Sequence, residues 1–113
     1  MLCWVDKYEK IKIQTENKKY NVSIFFARNY DEFKNEINDD SYLVISTKKA
    51  KYKKTFDIIH SYPNNKFHAF GRLDAAFTTK QESNLLEEKN VWNPQYPQYT
   101  ANTLLEDFIK HSS

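Results

Sequence analysis

The chain has 113 residues, of which 40% are hydrophobic and 28% are charged, and its formal net charge is +2 at pH 7. This composition lies in the globular range and excludes a disordered polypeptide. The length suits one domain, because two halves of roughly 60 residues would each have a marginal core. We therefore expect residues 1–113 to form a single globular domain.

Glycine and cysteine are both scarce, and their scarcity excludes several classes of site. The single glycine leaves no Gly-rich loop of the kind that cradles phosphates in nucleotide enzymes. The lone Cys3 cannot form an intramolecular disulfide or a cysteine-built zinc site. We predict no metal site and no cofactor. The apolar runs are too short to cross a bilayer, so we expect no membrane association and a cytoplasmic location.

The first third of the chain predicts a β-hairpin followed by a short helix. Ile11 and Ile13 alternate with polar residues, and a second alternation follows, which together favour a hairpin over residues 8–27 with its turn at 16–19. Asn29 precedes Glu32 by three residues, the spacing of a capping box, so a helix is expected to begin there and to end near residues 38–40.

The central part of the sequence predicts two strands separated by a helix. The apolar run at 42–46 is typical of a central strand that is covered on both faces. A helix over 48–60 follows, in which Tyr52, Phe56 and Ile59 share one face. Residues 66–72 then read as another strand, with alternate side chains on its two faces.

The last third predicts two helices joined by an aromatic loop. Thr79 and Glu82 indicate a helix that continues to residue 88, and a loop rich in Asn and Pro covers 90–99. A C-terminal amphipathic helix then begins after Thr100, with an apolar face formed by Leu104, Leu105, Phe108 and Ile109.

The order of these elements indicates a mixed α/β fold. We expect a sheet of about four strands, made mixed by its N-terminal hairpin and flanked by three to four helices, with parallel crossovers in the β-α-β-α-β part. An α+β sheet is the alternative if one helix is assigned wrongly.

Five lysines follow the predicted central strand within seven residues, and they are the first candidate binding surface. They are Lys48, Lys49, Lys51, Lys53 and Lys54. A solvated helix face is the simplest explanation of such a cluster, and the alternative is an anionic partner, either a nucleic acid or an acidic protein surface.

The second candidate site surrounds the end of the predicted strand at 66–72. His68, Arg72 and Asp74 lie near the only glycine, and ligands of open α/β sheets bind at the carboxyl ends of strands. The alternative is structural, with His68 in the core and Arg72 paired with Asp74. The tetrapeptide at 71–74 resembles one found in pseudouridine synthases, but its neighbours differ from that pattern and we recognise no family.

The third candidate surface is the uncharged loop that contains Trp92, Tyr96 and Tyr99. Rigid aromatic side chains with prolines are typical of interface anchors. The same residues could instead complete the core or form a lid over a ligand.

These patterns favour a small non-catalytic interaction protein, of the inhibitor, immunity or accessory type, that binds a macromolecular partner through aromatic and lysine contacts. The partner is most simply a protein, and the oligomeric state is left open. The alternatives are a nucleic-acid-binding module that uses the lysines at 48–54, and a small enzyme or small-molecule binder with its site at His68, Arg72 and Asp74.

Overall fold

A four-stranded parallel sheet organises the chain in a computed structural model, which describes residues 1–46, 52–70 and 101–112. The strands lie in the order β2-β1-β3-β4, so β1 and β3 are central. In chain order the elements are β1 (Leu2–Trp4), α1 (Lys7–Tyr20), β2 (Phe25–Phe26), α2 (Tyr30–Glu36), β3 (Leu43–Ser46), α3 (Tyr52–Ser61), β4 (Phe67–Phe70) and α4 (Ala101–Ser112).

The predicted N-terminal hairpin is wrong, because most of it forms helix α1. The carboxylate of Asp6 caps this helix by accepting a hydrogen bond of 2.9 Å from the backbone N–H of Glu9. Asn21 ends the helix in the left-handed conformation, with a φ of 53°. The alternation of Ile11 and Ile13 misled the prediction, since only Ile13 is buried.

Helix α2 begins where the sequence predicts. The side chain of Asn29 accepts a hydrogen bond of 2.8 Å from the backbone N–H of Glu32, as expected at a helix N-cap. The helix ends at Glu36, slightly before the predicted end. Its inward residue, Phe33, is fully buried against the sheet.

The central strands and the C-terminal helix also match their predictions. β3 and β4 are buried at every position, which is the pattern of strands covered on both faces. Phe56 and Ile59 of α3 are buried together, as are Leu104 and Leu105 of α4. The predicted helix at 79–88 and the start of the predicted helix at 48–60 lie outside the described residues.

Two layers of helices cover the sheet. One apolar cluster joins Leu2 and Trp4 of β1 to α2 and α3, and a second joins Cys3 and Val5 to Ile13 of α1 and Leu104 of α4. The α/β class, the four strands and the flanking helices are therefore confirmed. The mixed sheet is corrected to a parallel one, because α1 replaces the antiparallel hairpin.

Candidate interaction surface

The exposed face of α1 is the most distinctive surface of the described residues. Its exposed charged residues are all cationic, whereas the two carboxylates of the helix, Glu9 and Glu16, are partly buried. Lysines without competing carboxylates create a positive potential over this face. The exposed residues of the helix are Lys7, Tyr8, Lys10, Ile11, Gln14, Thr15, Lys18 and Lys19.

Two large apolar side chains lie within this positive surface. The exposed fraction is 62% for Tyr8 and 52% for Ile11, and these two residues are neighbours because they are three positions apart on a helix. Ile13 points into the core instead. Since α1 is anchored by residues on its inner side, the outward Tyr8 and Ile11 are not needed to fill the core.

The lysines next to Tyr8 and Ile11 are held close to aromatic rings. The ammonium nitrogen of Lys12 lies 5.1 Å from the centre of the Tyr8 ring, and that of Lys10 lies 5.3 Å from the ring of Phe26. Both distances are those of cation–π contacts. These contacts order part of the face before any partner binds.

Helix α1 is fixed to the rest of the fold at its far end. The hydroxyl of Tyr20 is hydrogen-bonded to Asn102 and also lies 2.9 Å from Glu106 of α4. Partial desolvation and the hydrogen bond to Glu106 raise the pKa of Tyr20 above its usual value. The exposed face is therefore carried by a helix with a defined position.

Of the predicted lysine cluster, the structure describes only Lys53 and Lys54, and both are exposed. The ammonium of Lys54 lies 4.9 Å from the ring centre of Tyr30 and 6.0 Å from that of Trp4. Lys54 therefore packs on aromatic rings of its own chain. The other three lysines of the cluster, Lys48, Lys49 and Lys51, lie outside the described residues.

A polar network ties α2 to α3 beside Lys54. The hydroxyl of Tyr30 donates a hydrogen bond of 2.6 Å to Asp57, and the ammonium of Lys34 lies 3.8 Å from the same carboxylate. Burial and the bond to Asp57 raise the pKa of Tyr30 to about 12. Lys34 and Asp57 partly neutralise each other within the chain. This surface therefore attracts a charged partner less strongly than the face of α1 does.

His68 lies in the core and is fully buried in β4. Its ring meets that of Phe70 edge to face, with 5.3 Å between the ring centres. Burial lowers the pKa of His68 to about 4, although nearby Asp107 opposes this shift. The core alternative for His68 is confirmed. Arg72 and Asp74 lie outside the described residues, so the structure does not show the predicted grouping.

The aromatic loop with Trp92, Tyr96 and Tyr99 also lies outside the described residues. Its assignment as an interface anchor stays a prediction.

The two central strands end in a pair of polar residues at the carboxyl edge of the sheet. The hydroxyl of Ser46 donates a hydrogen bond of 3.2 Å to the carboxylate of Asp6. Helix α1 follows β1 to one face and α3 follows β3 to the other, so a crevice of the kind that binds ligands in α/β proteins is expected between them. Here Asp6 also caps α1. The pair therefore has a structural role that needs no ligand.

The other reactive groups among the described residues offer little chemistry. Burial raises the pKa of the Cys3 thiol to about 12, so the nucleophilic thiolate is suppressed. Within the described residues no group of three or more His, Cys, Asp or Glu side chains could hold a metal ion. In the same part of the chain, no helix combines the length and the apolar character needed to span a membrane.

Sequence reasoning missed Tyr8, Ile11 and the lysines of α1, because it assigned them to a strand. One signal was present in the sequence. Asp6 and Glu9 have the same spacing as Asn29 and Glu32, the pair that correctly predicted the start of α2.

Comparisons of the chain with protein-family models, with curated proteins and with solved structures gave no match. The functional argument therefore depends on the surface itself.

Proposed function

We propose that the protein is a non-catalytic interaction protein, of the inhibitor, immunity or accessory type, that binds an acidic macromolecular partner through the exposed face of α1. One observation carries this proposal: the most exposed large apolar side chains among the described residues, Tyr8 and Ile11, lie among lysines with no exposed carboxylate on the same helix. Large apolar side chains at the centre of an interface, with charges around them, form the usual anatomy of a protein contact.

An acidic protein surface suits this face better than a nucleic acid. The lysines could contact phosphates, but Ile11 can neither stack on a base nor pair with a phosphate. A protein partner uses both features, since its carboxylates meet the lysines and its apolar side chains cover Tyr8 and Ile11. The charges would then steer association and the apolar pair would supply contact area.

The lysines at 48–54 and the loop at 90–99 belong to the same proposal as secondary contacts. Their lysines and aromatic residues are the residue types expected in such contacts, and α1 presents the same residue types within the part of the chain that the structure describes. A small-molecule site at His68 has less support, because that side chain is fully buried.

The test compares matched variants in capture experiments from a nuclease-treated native extract. Tyr8→Ser with Ile11→Ser should lose a captured protein that wild type retains, while Phe25→Ser should retain it. Phe25 is the matched control, because its exposed fraction is 45% and it faces the opposite side of the sheet from α1. Each protein that shows this pattern is then purified and titrated. A loss of about 30-fold or more in affinity is expected for a contact at the centre of an interface.

A second pair of matched variants tests the lysines of α1. Changing Lys7, Lys10, Lys18 and Lys19 to Gln should weaken the titrated complex, whereas changing Arg28, Lys34, Lys66 and Lys110 to Gln should change it little, because these four exposed cations lie outside α1 and outside residues 48–54. Both sets remove four charges. Equal effects would contradict α1 as the contact surface. Binding to a mixed-sequence DNA duplex that falls steeply with salt and depends on the α1 lysines would favour the nucleic-acid module instead.

A further inference from the structure

A second charged surface lies at the opposite edge of the sheet, where the strands begin. The segment between α2 and β3 exposes Asp39 and Asp40, and α2 ends beside it at the exposed Glu36. Two cations lie at the same edge, namely Lys66, just before β4, and the N-terminal ammonium of Met1, just before β1. The three carboxylates outnumber them, so this amino edge is acidic, whereas the face of α1 is basic.

Two adjoining depressions shape the amino edge. The larger has a volume of about 420 Å³ and lies between Asp39, Tyr62 and Pro63, and the smaller, of about 150 Å³, lies between Asp40, Tyr42 and Phe108. Both combine aromatic or proline surface with a carboxylate. The larger volume falls within the range of about 300–1,000 Å³ that is usual for pockets in proteins.

The walls of these depressions are fixed by hydrogen bonds. The side-chain amide of Asn65 is buried and donates to the backbone carbonyls of Asn38 and Ser41, at 2.8 and 3.0 Å. The side chain of Asn38 accepts a bond of 3.0 Å from the backbone N–H of Asp40. These bonds connect the segments before β3 and β4, so the depressions are formed in advance of any contact.

The basic face and the acidic edge cannot meet at Tyr8 within one molecule. Tyr8 lies in the first turn of α1, directly after the carboxyl end of β1, whereas Asp39 and Asp40 lie before the amino end of the parallel strand β3. A contact between Tyr8 and the acidic edge therefore requires two copies of the chain.

We propose that copies of this chain associate head to tail, with α1 of one copy seated on the acidic amino edge of the next. Tyr8 enters the larger depression beside Tyr62 and Pro63, and the lysines of α1 face Asp39 and Asp40. Charge complementarity favours a second copy, because the chain carries both surfaces and its net charge of only +2 gives little self-repulsion. The contact joins two different surfaces, so it builds open chains rather than closed dimers. This inference goes beyond the proposed function, since it assigns a second surface and needs no other protein.

The first experiment measures the average mass of the purified protein by sedimentation as its concentration rises. At about 0.01 M salt, where the Debye length is about 30 Å, we expect the average mass to grow at least about 1.5-fold between about 10 μM and about 1 mM protein. At about 1 M salt, where that length is about 3 Å, the protein should stay monomeric. A monomer at every concentration in low salt would overturn the proposal.

Charge-reversal variants then identify the two surfaces. Lys7→Glu, Lys10→Glu and Lys18→Glu leave Lys19 as the one exposed lysine of α1 and make its exposed face acidic. Glu36→Lys, Asp39→Lys and Asp40→Lys make the amino edge basic. Each set alone should abolish association, because like charges then meet. All six changes together should restore it, and that variant keeps the natural net charge of +2. These positions are exposed, so the fold should survive, and a melting curve of each variant checks this.

The last variant is Tyr8→Ser, which changes no charge but removes the ring that enters the depression. It should weaken association at least about threefold. Association that survives in the Glu36, Asp39 and Asp40 variant would overturn the head-to-tail arrangement and indicate contact between two α1 faces instead. Failure of self-association leaves the capture experiments with Tyr8 and Ile11 variants unaffected, so the two proposals can fail separately.

Discussion

Helix α1 carries five lysines and α3 carries two, and the two helices use their apolar residues in opposite ways. In α3, Phe56, Ile58 and Ile59 are all buried against the sheet. In α1 only Ile13 is buried in this way, and Tyr8 and Ile11 face the solvent. The position of the apolar residues among the lysines therefore distinguishes the two helices, and our proposal places the contact surface on α1 for that reason.

The lysines of the two helices also differ in their surroundings. Lys54 of α3 lies against Tyr30 and Trp4, beside the network that joins Asp57 to α2. The exposed lysines of α1 share their helix face with no exposed carboxylate. We therefore expect α3 to contribute mainly to stability and the outer face of α1 mainly to binding.

The largest expected effect is on the stability of the sheet layer under α3. Ile58→Ala removes a fully buried side chain and should lower the free energy of unfolding by about 2 to 5 kcal/mol. Ile11→Ala on α1 is the matched change and should alter it by less than about 0.5 kcal/mol. Urea denaturation of the two variants measures both values. Similar losses would mean that Ile11 contributes to the core and would break the comparison.

The next prediction concerns the layer formed by α1 and α4, where we expect folding stability to depend on pH. His68 faces this layer, and its pKa falls from 6.5 in the unfolded chain to about 4 in the fold. Between these pH values the unfolded chain binds a proton that the folded chain does not, so stability falls as the pH drops from 6.5 to about 4. The loss should approach roughly 3 kcal/mol near pH 4.

His68→Leu is the control for this pH dependence. The variant should lose most of the slope between pH 6.5 and 4, whatever its absolute stability, because leucine does not titrate. Denaturation curves collected across this pH range measure the slope. An unchanged slope in the variant would assign the dependence to other groups.

The smallest expected effect on stability compares the caps of α1 and α2. Asp6 accepts hydrogen bonds from the backbone of Glu9 and from Ser46, whereas Asn29 accepts one from the backbone of Glu32. Asp6→Ala should therefore cost about 1 to 2 kcal/mol and Asn29→Ala about 1 kcal/mol. Thermal melting of both variants tests this order. A larger loss for Asn29→Ala would show that the Ser46 bond contributes nothing.

The two helices that begin at these caps show how much of the fold the sequence predicts. Strands β3 and β4 and helix α2 were predictable, because continuous apolar runs and a cap followed by an inward Phe33 leave few alternatives, whereas the buried strand β1 was not predicted. Helix α1 was not, because it buries one residue and exposes Tyr8 and Ile11, so its apolar pattern lacks the period of a helix. The order of the strands depends on contacts between distant segments, which local patterns do not contain.

The candidate surface was missed for the same physical reason. Residues that bind a partner do not pack in the core, so their sequence pattern reflects the surface of the partner rather than the period of a helix or strand. The sequence predicts aromatic and lysine contacts at residues 48–54 and 90–99, and these stay predictions, whereas proposing such contacts on α1 required the helix to be known.

The most direct test of α1 as the contact surface is site-specific photo-cross-linking. A photoreactive side chain at position 11 replaces the exposed Ile11, and the same group at position 25 replaces the exposed Phe25 as a control. Illumination with the purified partner that wild type captures should give a covalent complex from position 11 and little from position 25. A complex formed only from position 25, or equally from both, would contradict the assignment of α1 as the binding surface.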